Sequence, residues 1–261
     1  MKILVIPDVH GRTFWRQPCS ELEKYDKVVF LGDYLDPYDF EGISFEKCID
    51  VLQEIIELKK FNYDKVVLLL GNHDLPYFSD EYYRLRRFGK YFHRHSSKYH
   101  DEVHKIFSEN SDLFTLSTVI GDVLFTHAGV VSYWLTNEFG GKYDNEINLS
   151  SLSADINLLL DKGIDKLSVC SHYRGGEDLY SSCVWADVDE VLEDSLNAKN
   201  EDMRFHPIYR IKQVFGHTIQ AFYASDRHIV FGKPREFGNC KMLDNAKAYE
   251  LDIESFTIKE V

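Results

Sequence analysis

Three features of this 261-residue chain predict an α/β fold. Apolar runs at Lys2-Ile3-Leu4-Val5-Ile6, Val28-Val29-Phe30-Leu31 and Val66-Val67-Leu68-Leu69-Leu70 are too short for buried helices. Each closes on Pro7, Gly32 or Gly71, the pattern of a strand covered on both faces. Segments of helical periodicity separate these runs, which implies parallel strands joined by crossovers. Beyond Ile211 the chain is strand-rich, so a mixed sheet or a pair of packed sheets with outer helices is expected.

Composition sets the outer limits. With 44% hydrophobic and 28% charged residues the chain is an ordinary globular one, long enough to bury a large core as a single domain over 1–261. A formal net charge of -13 argues against general binding to duplex nucleic acid, which needs clustered Lys and Arg. No apolar run approaches a membrane span, and Met1-Lys2 leads straight into a core strand rather than a secretory signal. The five cysteines, Cys19, Cys48, Cys170, Cys183 and Cys240, are odd in number and scattered, as reduced thiols of a cytoplasmic protein would be.

In chain order, Thr13 to Lys24 reads as a first crossover helix with Thr13 as its cap. Ser44 to Lys60 is the clearest helix: Ser44 can cap it, Phe45, Cys48, Ile49, Leu52, Ile55 and Ile56 recur at helical spacing, and Lys59-Lys60 suit its C-terminal dipole. Asp80 to Asn110 mixes aromatics with Arg84, Arg86, Arg87, Lys90, Arg94, Lys98 and Lys105, and with His93, His95, His100 and His104. It reads as one or two helices, a cap insertion at about 80–110. Whether it is a solvated basic face or a cap turned toward substrate stays open. Phe114 to Ile120 and Val123 to Thr126 form a hairpin around Gly121-Asp122. Ser150 to Lys162 is a further amphipathic helix stopped by Gly163.

The polar residues at strand exits carry the chemistry. Asp8 and His10 follow the first strand, Asp33 the second and Asn72 the third, with His127 and His217 after two later strands. Carboxylate, imidazole and amide without thiolate suit Mn²⁺, Fe or Zn²⁺. The six are too many for one ion with an open position, and about right for two ions roughly 3.5 to 4 Å apart that share a carboxylate. Taken singly, each has a plainer role: Asp8 or Asp33 as a helix cap, Asn72 in a turn, His127 or His217 as a satisfied polar residue.

Asp8-x-His10-Gly11, Gly32-Asp33-x-x-Asp36, Gly71-Asn72-His73-Asp74, a later His127-Ala128-Gly129 and a later Gly216-His217-Thr218 stand in the order that resembles the calcineurin-like metallophosphoesterases. The resemblance implies an α-β-β-α sandwich of two mixed sheets flanked by helices. It implies that Asp8 and His10 bind a first metal and Asn72, His127 and His217 a second, with Asp33 bridging. It gives His73 to the phosphate or leaving group, oriented by Asp36. Hydrolysis would then proceed by in-line attack of a hydroxide bridging two divalent ions, Mn²⁺ first among them.

Two features refine the resemblance and one departs from it. Ile219 follows where many phosphodiesterase members carry a second histidine. Together with Val184-Trp185-Ala186-Asp187, this is similar to the phosphoprotein phosphatase branch, which includes Ser/Thr phosphatases and symmetrical dinucleoside tetraphosphate hydrolases. That branch usually follows Gly-Asp-x-x-Asp with Arg-Gly, whose guanidinium clamps phosphate, but here Asp36 is followed by Pro37-Tyr38. Arg174, before the paired Gly175-Gly176, and Arg12, beside Gly11, are the candidate replacements; an ordinary salt bridge is the alternative for each.

The expected function is hydrolysis of phosphomonoesters, phosphoprotein among them, on a phosphorylated small molecule, nucleotide or phosphoprotein partner. Hydrolysis of a dinucleoside polyphosphate or nucleic-acid end, with Tyr82 to Lys105 holding the nucleotide, is a second expectation. A non-catalytic scaffold is a third, opposed by the intact motif set. Asp74 is expected to pair with an Arg, and Tyr34 and Trp15 to line the entrance.

Overall fold

The computed structural model describes residues 1–86, 94–197, 206–223 and 229–261. The chain divides into two compact units, Met1–Thr115 with Ala246–Val261, and Leu116–Asn245. Each unit is built on its own mixed sheet.

In the first unit, β1 (Lys2–Ile6), β2 (Lys27–Phe30), β3 (Val66–Leu69) and β4 (Phe114–Thr115) run parallel in that spatial order. Tyr249–Asp252 pairs antiparallel with β1, and Thr257–Glu260 pairs antiparallel with Tyr249–Asp252 at the edge. The inner strands are sequestered because their apolar runs leave no face to water: Ile3, Leu4, Val5, Ile6, Val28, Val29, Phe30, Val66, Leu68 and Leu69 are fully buried.

The helix expected after Ser44 spans Phe45–Phe61, and the Ser44 side chain accepts from Lys47 N at 3.2 Å. Its buried face, Cys48, Ile49, Val51, Leu52, Ile55 and Ile56, follows the 3.6-residue repeat. Thr13 to Lys24 does not form one helix. It yields a single α-turn at Arg16–Cys19 and a 3-10 turn at Leu22–Lys24, with no side-chain cap on either. Pro18, inside that first turn, has no N–H to extend a helical ladder. Between 80 and 110 the described helices are Asp80–Arg86 and His100–Glu109.

In the second unit, β5 (Ser117–Ile120) and β6 (Val123–Thr126) form the hairpin turning at Gly121-Asp122. The strand run expected from Phe114 is thus divided: Phe114–Thr115 pairs with β3, and Ser117–Ile120 pairs with β6. β7 (Lys212–Phe215) lies parallel to β6, followed across the sheet by Cys240–Met242 and Arg235–Phe237. The helix placed at Ser150 to Lys162 spans Leu149–Leu158, and Asn148 caps it by accepting from Ser151 N at 2.9 Å. Among the described residues, no helix is long and apolar enough to cross a membrane.

Candidate functional site

In the first unit three parallel strands end side by side, and the loops beyond them are tied together by backbone hydrogen bonds. Val9 N and His10 N donate to Asp33 O at 3.0 and 2.7 Å, and Gly11 N donates to Tyr34 O at 3.1 Å. The ties hold His10, Asp33 and Asp36 in left-handed backbone, with φ of 46°, 51° and 54°. Such a conformation costs an L-residue about 1–3 kcal/mol and persists only where its surroundings enforce it.

Asp74 does part of that enforcing. Its fully buried carboxylate accepts from Asp33 N, Tyr34 N and Gly71 N at 2.7 to 2.9 Å. It therefore braces two loops rather than pairing with an arginine. Gly71 is obligatory here, because a Cβ at this position would lie 2.1 Å from Asp33 Oδ1.

These loops bring Asp8, His10 and Asp33 into one buried cluster whose donor atoms lie within 4.8 Å of one another. His10 Nδ1 lies 2.6 Å from Leu35 O. A carbonyl can only accept, so the ring hydrogen sits on Nδ1 and Nε2 presents a lone pair. That Nε2 is buried, has no hydrogen-bond partner, and faces Asp33 Oδ2 at 3.6 Å. Burial, and then the positive charges of Arg94 and Arg12, push the His10 pKa well below the ordinary imidazole value. A neutral imidazole with a buried, unpartnered nitrogen among carboxylates is what a hard or borderline divalent ion requires. The residues therefore fit a metal. Asn72 is buried in the same turn after β3.

His73 stands at the edge of this cluster, with its side chain 17% exposed. Its backbone N donates to Asp33 Oδ1 at 2.9 Å and its Nδ1 meets Asp36 Oδ2 at 2.9 Å. Asp36 is fixed in turn by Tyr77, whose hydroxyl donates to Oδ1 at 2.7 Å. Burial pushes the Asp36 carboxyl up to about 7, while the Tyr77 hydrogen bond and the charges of His95 and Arg94 pull it back.

The second unit supplies His127 after β6 and His217 after β7, both buried. His127 Nε2 and His217 Nδ1 lie 3.2 Å apart. Two imidazoles on one ion with metal–nitrogen bonds of about 2.0–2.1 Å would sit about 2.9–3.4 Å apart, so the spacing suits a shared ion. His217 is left-handed, with φ of 68°, and packs edge-on to Trp185 at 5.9 Å. Arg174 Nε donates to His217 Nε2 at 3.0 Å, its NH2 nitrogen donates to His217 O at 2.7 Å, and Asp187 lies 3.5 Å from its NH1 nitrogen. Coordination through Nδ1 would place the ring hydrogen on Nε2, where Arg174 now donates. The two states of that nitrogen exclude each other.

Other residues singled out in the sequence fall as follows. Arg12 is occupied: Nε and NH2 make a fork to Glu41 at 2.7 and 3.0 Å and NH1 donates to Asp8 O, so its charge is already matched. Tyr34 and Trp15 belong to the core instead of an entrance; Tyr34 donates to Leu69 O and Trp15 packs on Phe30. Tyr82 is fully buried and offers no stacking face. His95 stacks on Tyr77 at 4.5 Å, and burial lowers its pKa to about 4. His93 and His228 lie outside the described residues.

One contact was not legible at all. Arg94 donates through NH1 to Asp36 O and through NH2 to His73 Nε2, each at 2.7 Å, and lies over the Tyr38 ring at 3.8 Å. The only hint in the sequence is the arginine absent after Asp36, and that does not choose among the basic residues of 80–110.

The model of the calcineurin-like phosphoesterases matches residues 1–221, and the chain belongs to that family. It is accordingly a metal-dependent phosphoester hydrolase. A search of curated proteins found no match. Among solved structures, a point mutant of a cold-active protein tyrosine phosphatase is similar at 14% identity and a TM-score of 0.50, covering 99% of this chain and 80% of that one. Another structure of cold-active protein tyrosine phosphatase is similar at 15% identity and a TM-score of 0.50, covering 99% and 78%. A metallophosphoesterase from Sphaerobacter thermophilus is similar at 14% identity and a TM-score of 0.43, covering 100% and 88%. At these identities the cold-active phosphatases share the fold.

Proposed function

We propose that the chain hydrolyses phosphomonoesters, phosphoprotein among them, as a member of the phosphoprotein phosphatase branch. The observation that carries the metal-dependent hydrolysis is the buried, unpartnered Nε2 of His10 beside Asp8 and Asp33, inside the family's first two motifs, while Ile219 and Trp185-Ala186-Asp187 in the sequence favour the branch. Asp8, His10 and Asp33 would hold one divalent ion; Asn72, His127 and His217, with Asp33 shared, would hold the other. Mn²⁺ is the first choice for this donor set, with Fe or Zn²⁺ as the alternatives. When bound, such a pair acidifies water and offsets charge building on the phosphoryl oxygens.

The protein's own residues do the rest. Asp36 and Tyr77 fix the ring plane of His73, so that Nε2, which accepts from Arg94 in this structure, is the nitrogen left to meet a leaving-group oxygen once Arg94 withdraws. In this arrangement the hydrogen of His73 lies on Nδ1, toward Asp36. Nε2 must gain a proton before it can donate one. That the five buried cysteines form no disulfide supports a reducing compartment, the cytoplasm.

A second reading, hydrolysis of a dinucleoside polyphosphate, is favoured by Phe40, which is 46% exposed and stacked on Tyr38 at 5.2 Å, a free aromatic face for a base. Turnover of p-nitrophenyl phosphate, its bis ester, a phosphopeptide and diadenosine tetraphosphate, each with Mn²⁺, separates the two. Preference for the phosphopeptide supports the first and preference for the dinucleotide the second. No turnover and no bound metal would leave a scaffold.

A further inference from the structure

Arg94 is a half-buried cation that makes no hydrogen bond or ion pair to a carboxylate among the described residues, although its charge is felt by the Asp36 carboxyl. Its hydrogen bonds go to a carbonyl oxygen and an imidazole nitrogen, both neutral acceptors, and its plane lies on the Tyr38 ring. A guanidinium withdrawn from water ordinarily sits against a carboxylate or phosphate. The contrast with Arg12 is direct, since Glu41 takes the fork of Arg12 in the same unit. The position of Arg94 is also built rather than incidental. Ser96 N donates to Tyr77 Oη at 2.7 Å and Tyr77 donates to Asp36, so 94–96 is anchored to the residue that orients His73.

We propose that Arg94 is the phosphate-binding guanidinium missing after Asp36, and that an arriving phosphomonoester draws it off His73 Nε2. The inference rests on the phosphoesterase reading and deepens it. Pro37-Tyr38 stands where the phosphoprotein phosphatase branch usually has Arg-Gly, and Tyr38 supplies a flat aromatic seat for an arginine arriving from a distant segment. Arg94 can rest on His73 Nε2 only while that nitrogen carries no hydrogen. A dianionic phosphate is a stronger acceptor for the fork than an imidazole. Release of Nε2 is therefore coupled to occupancy of the site. The device favours monoesters, whose terminal phosphoryl group offers more charge and more free oxygens than a diester.

The test is calorimetric binding of inorganic phosphate to the manganese-loaded protein, with kinetics on p-nitrophenyl phosphate and its bis ester beside it. Arg94→Ala should weaken phosphate about 10- to 100-fold and raise KM for the monoester by a similar factor, with metal content unchanged and KM for the diester much less affected. Arg94→Lys, which keeps the charge without the fork and guards against misfolding of the alanine variant, should recover only part of the affinity. Added guanidinium should partly restore Arg94→Ala. Phosphate affinity unchanged in both variants, or no phosphate binding by the wild-type protein, overturns the inference. Phosphate binding that depends on Arg94 but no turnover of any ester overturns the phosphoesterase reading and leaves the inference standing.

Discussion

Arg94 in the first unit and Arg174 in the second make the same two bonds and yet differ in kind. Each guanidinium donates to an imidazole Nε2, at 2.7 Å on His73 and 3.0 Å on His217, and each holds a backbone carbonyl at 2.7 Å. Arg174 has Asp187 at 3.5 Å to share its charge. Arg94 has Tyr38 beneath it and no carboxylate in ion-pair contact among the described residues, only the more distant charge of Asp36. A cation already facing an anion gains less from phosphate than one that is not. The counter-ion, more than the motif an arginine stands near, marks the stronger phosphate ligand.

The largest effect that sharpens this comparison belongs to Asp33, the residue proposed to serve both ions. Asp33→Asn should lower kcat by about 10³-fold or more and reduce bound manganese, since it removes a ligand and not merely a contact. Retained stoichiometry and rate would break the shared-carboxylate assignment. Next, His73→Ala should keep its metal while losing about 10²-fold or more on an alkyl phosphate and much less on p-nitrophenyl phosphate, whose leaving group needs no proton. Equal losses on both esters would move His73 to phosphate binding. Arg174→Ala should raise KM by less than Arg94→Ala, about 10-fold or below; the reverse order would show that Asp187 does not quench it.

Smaller still is the effect on pH dependence. Asp36 accepts from His73 Nδ1–H as a carboxylate, and burial holds its carboxyl near about 7, so activity should fall as the medium is acidified through that value. The Tyr77 hydroxyl lowers this pKa, so Tyr77→Phe should shift the acid limb of the kcat/KM profile to higher pH, with a modest loss at its plateau. A shift to lower pH would refute the assigned role. The linkage sign follows: an acid whose folded value lies above its unfolded 3.8 costs stability at neutral pH, and the cost disappears as pH falls below 3.8. Asp36→Asn should thus raise Tm at pH 8 while depressing turnover. The smallest catalytic effect is expected at Arg12, where loss of the Glu41 fork should cost about 2 kcal/mol of stability and leave phosphate affinity nearly intact.

The parallel strands and the residues at their exits were legible because each rests on a short local pattern: an apolar run, a Gly or Pro, then polar donors. The Ser44 cap and the Gly121-Asp122 turn are readable for the same reason. Tertiary context decided the rest. Phe114 to Ile120 looks continuous, yet its two halves pair with β3 and β6. Pro18 outweighed a helix-like polarity pattern. The left-handed backbone at His10, Asp33, Asp36 and His217 uses residue types that tolerate it better than most, but hydrogen bonds across separate loops select these positions from the other Asp and His of the chain. Arg94 looks like its basic neighbours in the sequence; Ser96, Tyr77 and Tyr38 single it out only after folding.

The central claim, that Asp33 joins the two motif groups around a pair of ions, is tested most directly by electron paramagnetic resonance of the protein loaded with two equivalents of Mn²⁺. An exchange-coupled spectrum that reverts to isolated Mn²⁺ in Asp33→Asn is the predicted result. The signal of isolated ions in the wild-type protein at every loading would contradict it.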